Sequence, residues 1–171
     1  MKKFVLPLSL SIAALALPAH AADAQRQAEV ARLGADVMPF SLAATTHIFT
    51  KSAHGGAQRV VAKNARDTRQ IRLVREHLRL MRDQFLKGDY SGPTHIHGAD
   101  MPGLAALEAA KPGQMSIDYQ DVKAGAELRF RSADPELVAA LHQWFDAQLA
   151  DHGHDAMAGP MHHDHGAMMM K

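Results

Sequence analysis

Thr46-His47-Ile48-Phe49-Thr50-Lys51-Ser52-Ala53-His54-Gly55-Gly56-Ala57-Gln58-Arg59-Val60-Val61-Ala62-Lys63 is the stretch that decides the fold. Residues 46–51 alternate in polarity and are rich in β-branched side chains, as a half-buried strand requires. His54-Gly55-Gly56 supplies a turn, and Gln58 to Lys63 reads as the returning strand. A helix follows, with Asn64 and Asp67 as cap candidates. Its apolar stripe is Ile71, Val74, Leu78, Met81 and Phe85, spaced three and four apart. Gly88 ends it.

The same pattern recurs downstream. Met115, Ile117 and Tyr119 alternate along a strand, Lys123-Ala124-Gly125 turns the chain, and Leu128 and Phe130 alternate with Arg129 and Arg131. Asp134-Pro135 opens a second helix, with proline at its first position and Val138, Leu141, Trp144, Phe145 and Leu149 on the apolar side. A shift of 67 residues carries Asp67 onto Asp134, Ile71 onto Val138, Val74 onto Leu141 and Leu78 onto Phe145. Two hairpin-plus-helix units predict an α+β domain over residues 46–150, with a four-stranded, mainly antiparallel sheet and both helices on one face.

Outside that repeat the chain changes character. Lys2 and Lys3, the apolar run Val5 to Leu17 and Ala19-His20-Ala21 form a signal peptide over residues 1–21, cleaved after Ala21, which points to the periplasm. Residues 22–45 read as a short helix, Ala22 to Leu33, and a linker. The apolar run is shorter than the roughly 20 residues of a membrane span, and no later segment comes closer. The 171 residues carry a formal charge of +1, and loss of Lys2 and Lys3 turns it to −1, which argues against a nucleic-acid partner bound through bulk positive charge.

There is no cysteine, so an exported chain of this kind has no disulfide framework and must rely on packing or on metal. The soft and nitrogen donors are unevenly placed. His152, His154, His162, His163 and His165, with Met157, Met161, Met168, Met169 and Met170, all fall in residues 151–171. That segment also holds three glycines and a proline and no aromatic or β-branched residue, which predicts a flexible, disordered tail. Thioether sulfur prefers Cu(I), while imidazole takes Cu(I), Cu(II), Zn and Ni, so the mixture favours copper over zinc or nickel.

A second concentration of ligands lies in the irregular connection 89–114, where His95, His97, Asp100 and Met101 fall within seven residues. On the helices, His77 and Met81 are one turn apart, as are His142 and Asp146. The first pair could hand nitrogen and sulfur to one ion, and the second could be a ligand oriented by a carboxylate. A core histidine satisfied by its surroundings is the blander role for both. His47 shares a strand face with Phe49 and Lys51, and His54 sits in a turn. His95, His97 and Met101, with His47 or His142, form the expected receiving set within the domain.

Several chemistries are unsupported. There is no Gly-x-Ser-x-Gly elbow, no phosphate-cradling loop and no His-Glu-x-x-His helix. With those residues laid out, the chain resembles a family of small exported bacterial proteins with His/Met-rich C-termini. The matching pieces are Thr46-His47-Ile48-Phe49, Arg75-Glu76-His77-Leu78, Ile96-His97-Gly98-x-Asp100-Met101-Pro102-Gly103-Leu104 and Leu141-His142-x-Trp144-Phe145-Asp146. Members sometimes carry the label aspartate carbamoyltransferase, yet this chain lacks the Ser-Thr-Arg-Thr-Arg loop that holds carbamoyl phosphate, so the resemblance implies a shared fold and site only. The expectation is a periplasmic protein that captures, buffers or delivers copper, Cu(I) or Cu(II), to another periplasmic copper protein or an exporter. The alternatives are an enzyme or small-molecule-binding domain using the loop histidines, and an interaction module that folds without metal.

Overall fold

Two aspartates start the two long helices as their spacing demands. The computed structural model describes residues 19–160. In it Asp67 accepts from the Gln70 amide at 3.0 Å and opens α2 (Thr68–Phe85), and Asp134 accepts from the Glu136 amide at 2.9 Å and opens α5 (Pro135–His152). Each follows its hairpin: β1 (Thr45–Ser52) with β2 (Gly55–Ala62), and β3 (Ser116–Val122) with β4 (Gly125–Arg131). Ser52 pairs with Gly55 and Val122 with Gly125, so both turns are two residues long. The second turn places Ala124 in the left-handed region at φ 65°.

The sheet has five strands in the order β3-β4-β2-β1-β5, not four. The added strand, β5 (Ala156–Ala158), runs parallel to β1 at its outer edge, so the sheet is mixed. Its three residues carry no β-branched side chain, which is why alternation could not reveal it. Gly159 extends the pairing by donating to the Phe49 carbonyl at 2.8 Å. Residues 151–160, expected in the tail, therefore belong to the domain. His152 ends α5, Gly153–Asp155 form a 3-10 turn, and Ala156–Ala158 join the sheet. Residues 161–171 lie outside the described part, as does the expected signal peptide except for Ala19, His20 and Ala21.

Those three residues open α1 (Ala19–Val37), which runs on through Gly34 rather than stopping before it. Between α2 and β3 the connection holds two short helices, α3 (Ser91–His97) and α4 (Leu104–Glu108). Gly92-Pro93 reads as a break, but Pro93 stands in the first turn of α3, where the amide it lacks would be unpaired anyway. No helix among the described residues is long and apolar enough to cross a membrane.

The core lies between the sheet and α2 and α5. Phe49, Val60, Leu128 and Phe130 face Val74, Leu78 and Phe85 from α2 and Leu141, Trp144 and Phe145 from α5, all buried. Phe85 stacks on Tyr90 with ring centres 4.3 Å apart and meets Trp144 edge-on at 5.9 Å. Before α4, Gly103 sits at φ 79°, and a Cβ there would come within 2.0 Å of the Ala140 carbonyl oxygen. This close approach seats α4 on α5 and anchors the connection that carries α3. Gly103→Ala should cost about 1–3 kcal/mol or more in thermal unfolding, because both the dihedral and the contact forbid a side chain. An unchanged midpoint would contradict that packing.

Candidate functional site

Four histidines reach one cavity from four elements. His47 points inward from β1 because it alternates with Ile48, and it lies beside Val60 of β2 and Ala156 of β5 in the ladder. His77 is on the buried stripe of α2, one turn before Met81. His97 closes α3, which Gly98 stops at φ 90° with its amide on the Thr94 carbonyl. His152 closes α5, which Gly153 stops at φ 53° with its amide on Leu149. All four are under one-tenth exposed.

The space is about 40 Å³, room for roughly two or three waters. Its wall also includes Met38, Phe40, Gln58, Met81, Ile96 and Gln148, and among the described residues no Asp, Glu, Lys or Arg lines it. The His47 and His152 rings stack with centres 4.7 Å apart, and His97 meets His152 edge-on at 5.1 Å. Phe40 packs against both His47 and His77, with ring centres 5.9 Å and 5.5 Å away.

Hydrogen bonding divides the four. His97 Nδ1 is 2.7 Å from Asp151 Oδ2, and Arg26 on α1 donates to the same carboxylate through Nε at 3.1 Å and Nη2 at 2.7 Å. Arg26 Nη2 also donates to the His97 carbonyl at 2.8 Å. Burial alone would push the Asp151 carboxyl up, but the bonds and charges of His97 and Arg26 outweigh it and hold it at about 2. An ionised Asp151 takes the Nδ1 proton of His97 in a hydrogen bond, so the neutral ring has its lone pair on Nε2. Nδ1 of His47 and Nδ1 of His152, by contrast, are buried with no partner, as are Oε1 of Gln58 and the Trp144 indole nitrogen.

Burial also keeps the imidazoles of His47, His77 and His152 neutral. Desolvation, with His152, His77 and His97 adding to it, lowers the His47 pKa well below its ordinary value. Desolvation pushes His77 down to about 4, and desolvation and His97 push His152 down to about 4 against the pull of Asp151 and Asp155. Neutral imidazole is the form that binds a cation. A tetrahedral ion held at ~2.0–2.1 Å by two imidazoles sets their ring centres about 5 Å apart, close to the spacings seen here. Among the described residues, however, no three His, Asp or Glu side chains already stand in coordinating positions around one point. The stacked His47 and His152 rings must rotate about Cβ–Cγ to share an ion.

The expected receiving set is partly dispersed. His47 and His97 reach the cavity, whereas Met101 is buried in the core and is not part of the cavity wall. His95, two residues before His97, faces away and meets Asp36 at 3.3 Å. His142 donates from Nε2 to the Gly55 carbonyl at 2.8 Å, and Asp146 pairs with Lys51, so the expected carboxylate-oriented ligand on α5 is absent. His154 and Met157 are exposed. Met161, His162, His163, His165, Met168, Met169 and Met170 lie outside the described residues. Met38, Gln58, Gln148 and the Arg26–Asp151 pair escaped sequence reasoning. Gln58 and Gln148 were visible in principle as polar residues at inward positions.

Compared with protein-family models, curated proteins and solved structures, the chain matches none.

The buried imidazoles fix the pH dependence of the metal-free fold. His77 and His152 have folded values of about 4 against an ordinary 6.5, so the unfolded chain binds more protons between those limits. Their contribution is complete above pH ~6.5 and is lost as pH falls toward 4, at up to about 1.4 kcal/mol per pH unit for each group. Urea midpoints should therefore fall from pH 7.5 to pH 5.0, with a shallower fall for His77→Phe. A flat profile would contradict the burial of neutral rings.

Proposed function

We propose that this chain is an exported, periplasmic metal-binding protein whose cargo is copper, collected by the His/Met-rich C-terminal segment and held in the histidine cavity. The observation that carries this reading is the convergence of His47, His77, His97 and His152 on one small space beside the thioethers of Met38 and Met81. Two of those imidazoles have a buried nitrogen without a partner, and a third is oriented by a carboxylate as metal-binding histidines commonly are. Unpaired buried polar atoms cost stability, and a bound cation would satisfy them. Copper is favoured because sulfur and imidazole occur together both in the cavity and in residues 151–171.

The C-terminal donors and the cavity are parts of one route. A donor on a chain attached beside β5 raises the effective concentration of the ion near the domain, and ligand exchange then passes it inward. Delivery onward to another periplasmic copper protein or an exporter would follow by the same exchange.

A second reading rests on the His97–Asp151 hydrogen bond, which is the geometry of an oriented general base. The cluster of imidazole and thioether donors around the cavity favours an ion over a substrate.

Elemental analysis of the mature, untagged protein, with copper competition titrations, tests the reading. The intact protein should bind copper, and His97→Leu with His152→Leu should remove the tightest equivalent while far-ultraviolet circular dichroism is unchanged. Intact protein that takes no copper at micromolar concentration would contradict it.

A further inference from the structure

Charge, more than donor type, distinguishes the ions this cavity can hold. Its wall carries no Asp, Glu, Lys or Arg side chain among the described residues. Two carboxylates that act on its histidines, Asp151 through its bond to His97 and Asp155 beside His152, each have a cationic partner. Asp151 is paired with Arg26 at 2.7 Å, and Asp155 with Lys63 at 3.2 Å. A bound cation therefore brings its full charge into an apolar surrounding, and the cost of burying charge rises as its square, about fourfold from a monovalent to a divalent ion.

The donors point the same way. Nδ1 of His47 and Nδ1 of His152, each within a residue more than nine-tenths buried, are unpartnered neutral ligands. Met81 and His77, one turn apart on α2, both line the cavity, and Met38 joins them from the end of α1. Thioether sulfur suits a soft monovalent ion, whereas Zn(II) and Cu(II), which imidazole also binds, gain little from it.

We infer that the cavity is a site for a soft monovalent cation, Cu(I), and that it discriminates against Cu(II) and Zn(II) through a wall without carboxylates and through the Met81 thioether. This rests on the metal-binding reading above and assigns the oxidation state of the ion that the cavity holds.

The test uses the full chain with the C-terminal donors replaced, His162, His163 and His165 by Asn and Met161, Met168, Met169 and Met170 by Leu. Ag(I), a redox-inert probe of the same charge and softness, Cu(I) under a chelating competitor, and Zn(II) are titrated separately. One equivalent of Ag(I) and of Cu(I) should bind, with Zn(II) at least about 100-fold weaker. Met81→Leu should weaken Ag(I) about tenfold or more, and Met81→Glu, which places a carboxylate in the wall, should narrow the gap by strengthening Zn(II). Zn(II) binding as tightly as Ag(I) would overturn the inference and leave the metal site standing. No binding of any of the three would overturn both.

Discussion

Asp151 is where three helices of this protein are tied together. It stands near the end of α5, accepts from Arg26 of α1 and His97 of α3, and is held ionised by both. Arg26 closes the triangle through the His97 carbonyl. Charge-assisted bonds in partly buried surroundings are the strong ones, and losing one partner leaves the other exposed to the full desolvation cost. The position of α3, with His97 at its end, and the closing of α1 over the cavity both depend on this junction.

The cavity it encloses runs against the ordinary economy of a core. Close-packed interiors leave few unpaired polar atoms, yet His47, His152 and Gln58 each keep one here. The same burial that costs stability holds the imidazoles neutral and ready to give their lone pairs. Stability sacrificed at one place for binding capacity is the usual relation between fold and site. The repeated hairpin-helix units supply the rest of the stability, through the aromatic packing of Phe85, Trp144, Phe130 and Phe145.

The repeated units were legible because period-two and period-three-to-four patterns are strong and local: both caps, both hairpins and both apolar stripes follow from them. β5 was not, because Ala156-Met157-Ala158 becomes a strand only by docking beside β1. The residues around the cavity show the same division. His47 and His77 stood out as inward members of their elements, while the pairing of His97 with Asp151 spans 54 residues and Arg26 with Asp151 spans 125, distances no local pattern can bridge. His95 and His97 looked equivalent until a short helix turned them to opposite sides. His152 was counted with the tail, though one more turn of α5 buries it.

The central claim is that His47, His97 and His152 give nitrogens to one ion. Long-range nitrogen-15 spectra of the imidazoles, recorded on the intact chain before and after one equivalent of Ag(I), address it directly. The account predicts ligation shifts at Nδ1 or Nε2 of these three rings, with His95 and His142 unmoved. Shifts confined to histidines outside the cavity would contradict it.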